Sequence, residues 1–228
     1  MTANSSTTSG KAERFQNSYI LQAWLVISLA LFFGISLAGI QSTLGPMIET
    51  NKKNETREQV PEIILGNLLA KKMAESNSAL MIQPHSITIK RGNRKKSYNV
   101  FETRYPDGRL AGWVTKATGQ GYADKIELLF GLDPEVKQLT GLFILGQKET
   151  PGLGNKIIEK QWRDQFIKKS TDRPFEVVKG GTGAAHEIDA ITGATISSKS
   201  VVDIINKSVA DIKGQLSSLS AVGKKDKE

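Results

Sequence analysis

DAITGATISSKSVVDIINKSVADIKGQL, residues 189–216, contains a small-residue turn followed by the start of a long helix. Val201, Ile205, Val209, Ile212 and Leu216 recur at three- and four-residue steps, which predicts an amphipathic helix over 198–219. The hydroxyl cluster before it, with Thr192, Thr195, Ser197 and Ser198, supplies helix-capping groups. The same physics allows a second reading. The free N–H groups and dipole of a helix start favour a phosphate there, and Gly193 and Ala194 leave space beside the Thr195 hydroxyl. Asp189 lies in the loop that leads to that hydroxyl. The residues alone leave both readings open.

Upstream, LFIL at 142–145 is a continuous apolar run and predicts a central strand. It leads into ETPGLGNK at 149–156, where Pro-Gly marks a tight turn, Gly154 permits close backbone approach and Lys156 brings a positive charge. An ordinary strand-to-helix turn would use the same residues. Further strands are expected at 86–90, 98–104, 110–116, 125–132, 138–145 and 175–178, with helices over 60–76 and 156–169. Breaks fall at Gly92-Asn93, Pro106-Asp107-Gly108 and Asp133-Pro134. The fold class expected is α+β, with a twisted antiparallel sheet and flanking helices.

Farther out, ILQAWLVISLALFFGISLAGI at 20–40 carries no charge. Its length suits a bilayer core, which needs about 20 apolar residues, and exceeds a signal-peptide core of about 7–15. Trp24 near one end suits interfacial anchoring. The chain is therefore expected to divide into a short tail (1–19), a transmembrane helix (20–40), a polar linker with a Gly-Pro break (41–59), one domain (60–219) and a charged tail (220–228). Lys11 and Arg14 before the span and Lys52, Lys53 and Arg57 after it give no preference for a cytoplasmic N-terminus.

With 39% hydrophobic and 24% charged residues, the chain is neither wholly disordered nor fibrous. The absence of cysteine excludes disulfides, thiolate metal sites and cysteine nucleophiles. His85 and His186 stand apart and predict no metal site. The net charge of +8 includes a run at Lys90, Arg91, Arg94, Lys95 and Lys96. That run centres on Gly92-Asn93 and reads as a solvated hairpin tip, so no nucleic-acid partner is expected. No GxGxxG follows a strand, and no Walker A motif occurs.

Taken in order, ETPGLG and DAITGAT resemble the two signatures of the FMN-binding domains in which the flavin phosphate is esterified to threonine. These domains occur in the G subunits of Rnf electron-transport complexes and the C subunits of sodium-pumping NADH:quinone oxidoreductases. The resemblance spans roughly residues 15–217, and the short length suits the Rnf branch. It implies that Thr195 carries covalent FMN, attached by a flavin transferase with FAD as donor. Asp189, Thr192, Gly193 and Ala194 match the recognition sequence, with Thr192 where serine is common. Glu149, Thr150, Gly152, Leu153 and Gly154 match the segment expected to line the flavin, and Gly121-Tyr122 resembles a further pair beside it. By the same resemblance the protein relays electrons in a complex that couples ferredoxin:NAD oxidoreduction to ion transport. Its partners would be the other membrane and peripheral subunits. It would have no catalytic residue and no complete turnover of its own. It would sit in the bacterial cytoplasmic membrane as a single-pass protein with its domain on the outer face. The alternatives are a C-subunit role in a sodium-pumping quinone reductase and a membrane-anchored FMN sensor.

Overall fold

The computed structural model describes residues 19–76, 78–92, 94–181 and 183–225, so the expectation for the N-terminal tail falls outside it at 1–18, while the tail expected at 220–228 is helical as far as Lys225. The described chain begins in a helix, α1 (Tyr19–Leu65). Two compact units are distinguished, Met1–Lys52 and Lys53–Glu228.

In the first unit the helix is long and apolar enough to cross a membrane, and its apolar window is exposed. Two of its hydroxyls bond back to the helix: Ser36 Oγ donates to the Phe32 carbonyl (2.8 Å) and Thr43 Oγ1 to the Ile40 carbonyl (3.0 Å). Such back-bonding keeps hydroxyls satisfied in an apolar medium. The expected linker at 41–59 is helical instead, because helix α1 runs through Gly45-Pro46. A proline removes one N–H but need not end a helix whose neighbours re-satisfy the backbone. One turn on, Thr50 Oγ1 donates to the Pro46 carbonyl (2.9 Å).

The second unit takes in the last turns of α1, where Thr56, Val60, Ile63 and Ile64 are buried. The helix expected over 60–76 is divided at Gly66 (φ +76°), after which α2 (Asn67–Glu75) begins. Five strands follow: β1 (Met81–Arg91), β2 (Arg94–Arg104), β3 (Leu110–Gln120), β4 (Lys125–Leu132) and β5 (Leu139–Gly146). They form one antiparallel sheet in the order β1-β2-β3-β4-β5. Alternation puts Tyr98, Val100, Trp113, Ile126, Leu128 and Phe130 on one face. Val201, Val202, Ile205, Val209, Ile212 and Leu216 of α4 (Thr195–Lys225) cover that face. The Tyr98 hydroxyl donates to Asp211 (2.6 Å) and the Trp113 indole N–H to Ser220 (3.2 Å), fixing where the helix lies. The other face, with Val114, Leu129 and Leu145, packs on Val60, Ile63, Ile64 and Leu80.

The LFIL strand lies at the edge of the sheet, not at its centre. It is apolar because other elements cover it. Arg163 Nη1 donates to the Leu142 carbonyl (2.7 Å), and Leu139 exchanges backbone bonds with Lys168 and Lys169. The helix expected over 156–169 is instead a 3-10 turn (Gly154–Ile158), a short helix α3 (Lys160–Arg163) and a second 3-10 turn (Asp164–Phe166). Trp162 and Phe166 are still buried there, edge to face at 5.4 Å between ring centres. Between this segment and α4 run β6 (Glu176–Val178) and β7 (Glu187–Asp189), a parallel pair of which only the first was expected.

Candidate functional site

Two turns of the same design face each other. In the first, Leu153 N–H donates to the Thr150 carbonyl (3.2 Å), with Pro151 and then Gly152 (φ +77°) between them. In the second, Ala194 N–H donates to the Ile191 carbonyl (2.9 Å), with Thr192 and then Gly193 (φ +80°) between them. A positive φ at the third position marks a type II turn, where glycine meets no steric penalty. The turns touch: a Cβ on Gly193 would lie 3.0 Å from Leu153 Cδ2.

Helix α4 starts at Thr195, directly after the second turn. Ser198 N–H is the first in this stretch to reach back, to the Ala194 carbonyl (3.0 Å). Its hydroxyl accepts from Ile191 N–H (3.1 Å) and so holds the turn against the helix. The N–H groups ahead of it have no carbonyl within the helix to bond. The residues that carry them border a cavity of about 490 Å³, lined by Tyr122, Thr150, Leu153, Gly154, Lys179, Gly193, Ala194, Thr195, Ile196 and Ser197. That volume lies in the range of about 300–1,000 Å³ usual for ligand sites. Tyr122 (63%), Leu153 (46%) and Ile196 (56%) are exposed around it. Large apolar groups gathered at a cavity mouth are the unusual case on a protein surface, and they suit a flat, partly apolar ligand.

Beneath the cavity lies Glu149, buried although charged. One carboxylate oxygen accepts from the Ser197 hydroxyl (2.5 Å) and the other from Ala123 N–H (3.1 Å). Glu149 thereby joins three segments: the ETPGLG turn, the start of α4 and the β3–β4 loop that bears Tyr122. Gly121 and Gly154 make room for it, since a Cβ would come within 2.4 Å of Oε1 at Gly121 and 2.9 Å of Oε2 at Gly154. The same loop is tied a second way. The Asp124 carboxyl is held below its usual range, first by the Lys125 backbone N–H (2.7 Å) and then by Lys148 (3.2 Å).

Of the residues singled out in the sequence, Tyr122, Thr150, Leu153, Gly154, Gly193, Ala194 and Thr195 line the cavity together. Glu149 and Gly121 stand behind its wall, and Gly152 and Thr192 are exposed turn residues. Asp189 ends β7, where Oδ1 accepts from Gly181 N–H (2.6 Å). Lys156 does not line the cavity. Lys179, Ile196 and Ser197 do, although the sequence motifs do not single them out. Ile196 carried a signal, as an apolar residue off the face that packs on the sheet. Ser197 was visible only as one more capping hydroxyl.

Residues 121–210 match the family model of the FMN-binding domain. A relative from Acetobacterium woodii, the G subunit of its Na(+)-translocating ferredoxin:NAD(+) oxidoreductase complex, is 42% identical over 45% of this chain and 50% of its own length. The chain thus spans about half the length of that relative. The G subunit of the ion-translocating oxidoreductase complex of Erwinia tasmaniensis is 25% identical over 86% of this chain and 94% of its own. The crystal structure of Shewanella oneidensis NqrC has a TM-score of 0.59 over 74% of this chain and 99% of its own, at 18% identity, a likeness of fold.

Proposed function

We propose that this chain is a membrane-anchored flavoprotein subunit that relays electrons through FMN esterified to Thr195, within an Rnf-type ferredoxin:NAD oxidoreductase complex coupled to ion transport. The observation that carries the reading is the cavity itself. It brings the ETPGLG turn, Tyr122 and the TGAT turn around one volume at the start of α4, although they lie far apart in the chain.

The donor set fits such a group. First-turn N–H groups and Lys179 suit the phosphate, and Tyr122, Leu153 and Ile196 suit the faces of an aromatic ring. FMN supplies one- and two-electron chemistry. The chain's own residues hold and shield. Thr195 lines the cavity and is half-buried, which suits access by a transferase. Leu153 and Tyr122 exclude water, Thr150 offers a hydroxyl, and Glu149 fixes the wall. Helix α1 would keep the site next to the membrane partners, with the domain on the outer face. Other subunits would carry the substrate chemistry, so no complete turnover is expected of this chain alone.

Thr195→Val keeps the shape and removes the oxygen. Flavin fluorescence in a denaturing gel, present in the wild type co-expressed with a flavin transferase, is expected to vanish in the variant. Fluorescence that persists would place the attachment elsewhere.

A further inference from the structure

Lys179 is the one charged residue among the described residues that line the cavity. Among the described residues it also forms no ion pair. Its place is set by bonds on both sides. Ala190 N–H donates to the Val178 carbonyl (2.8 Å), and Gly181 N–H donates to Asp189 Oδ1 (2.6 Å). Both partners belong to the strand end that leads into the Ile191–Ala194 turn. That strand end is itself held, because the Trp162 indole N–H donates to the Asp189 carbonyl (2.8 Å) and Asp189 N–H to Gln165 Oε1 (2.7 Å). Gly181 is also required by space, since a Cβ would lie 2.6 Å from Val178 Cγ2 and 3.2 Å from Asp189 Oδ1. The Lys179 segment is therefore clamped to the threonine motif. Thr150 and Tyr122, which also line the cavity, belong to segments tied together through Glu149.

We propose that Lys179 is the cation that pairs with the phosphate esterified to Thr195, and that Asp189 serves this site by holding the Lys179 segment against the threonine motif. The inference rests on the reading that Thr195 carries FMN. A phosphodiester has one negative charge. It meets the positive end of α4 on one side and an ammonium on the other, and both contacts are charge-assisted. Asp189 is then a positioning residue, acting through one backbone N–H.

The test uses the full chain, co-expressed with a flavin transferase and purified in detergent. The phosphorus NMR resonance of the phosphodiester is recorded for the wild type, Lys179→Gln and Lys179→Arg, beside a redox titration of each. Lys179→Gln is expected to move the resonance by more than its linewidth, and Lys179→Arg to return it toward the wild type. An unmoved resonance in Lys179→Gln overturns the proposal. So does a changed potential with an unmoved resonance, which would put the lysine on the ring. Should Lys179→Gln take up no flavin, recovery of loading in Lys179→Arg supports the pairing and failure of both overturns it. A wild-type chain with neither resonance nor fluorescence would instead refute the assignment of Thr195.

Discussion

Glu149 and Ser197 offer the sharpest quantitative test of how the site is built. Both are buried, 4% and 3% exposed, and they share a hydrogen bond of 2.5 Å. A hydrogen bond to a charged group contributes about 1.5–3 kcal/mol, and a buried donor left unpaired costs about 1–3 kcal/mol. Ser197→Ala removes one of the two bonds given to the Glu149 carboxylate by Ser197 and Ala123, so it should cost about 1.5–3 kcal/mol. Glu149→Ala strands the Ser197 hydroxyl and the Ala123 N–H together and opens a void, so it should cost more than Ser197→Ala. Glu149→Gln should cost least. Its carbonyl can serve Ala123 while its NH₂ donates to a rotated Ser197 hydroxyl, trading charged bonds for neutral ones of about 0.5–1.5 kcal/mol. The assay is thermal unfolding of the full chain in detergent for the three variants and the Glu149→Ala/Ser197→Ala double variant. The expected order of loss is Glu149→Ala, then Ser197→Ala, then Glu149→Gln, with strong non-additivity in the double variant. A Ser197→Ala loss below about 0.5 kcal/mol, together with additive singles, would refute the latch.

Three further outcomes follow from named contacts. Asp189→Ala should lower flavin loading, read by intact mass, while the melting temperature changes little, because the lost contact is one exposed bond to Gly181 N–H; a large melting shift with full loading would sink this reading. Thr150→Val and Leu153→Ala should leave the attachment at Thr195 intact but shift the flavin's reduction potential and visible spectrum. A lost bond to the charged, reduced ring is worth about 1.5–3 kcal/mol, and both variants titrating like wild type would make the segment a plain turn. Gly141→Ala should destabilise the fold by about 1–3 kcal/mol, since its Cβ would lie 2.8 Å from the Ile63 backbone carbonyl, and an unchanged melting temperature would show that the helix end gives way.

The large elements could be read from periodicity because each buries one face. The predicted face of α4 is buried at Val201, Ile205, Val209, Ile212 and Leu216, and the sheet strands fall where alternation and turn residues put them. The errors have a common cause: the apolar pattern records burial and not the element that provides it. LFIL is apolar on both faces, as a central strand would be, yet it is an edge strand whose Phe143 and Leu145 belong to the Ile63 cluster and whose Leu142 and Ile144 belong to the cluster of Trp162 and Phe166. Gly131 and Gly141 stand opposite each other in β4 and β5. A Cβ on either would strike Ile63, so the missing side chains are what admit the helix end to the sheet. Trp162 and Phe166 recur at helical spacing but are carried by 3-10 turns and one short helix.

At the site, legibility divides along the kind of bond involved. Thr195, Gly193, Leu153 and Thr150 were readable because they belong to turns, and a turn is written in adjacent residues. Lys179 was not, because what brings it to the cavity is a backbone carbonyl paired with Ala190 and a backbone N–H paired with Asp189. The bond from Ala190 joins main chain to main chain and leaves no mark on residue type, while the bond to Asp189 marks Asp189 and Gly181 and not the lysine. The same argument changes the reading of Glu149. The sequence places it in a segment expected to touch a cofactor. The structure gives both its oxygens to Ser197 and Ala123, leaving the lining to its neighbours Thr150 and Leu153. An acidic side chain behind the wall, with glycines at 121 and 154 shaped around it, holds three separate segments in register. A flavin held as proposed would need that rigidity, because a tether at Thr195 would fix only one end of a long group and the wall would have to orient the other.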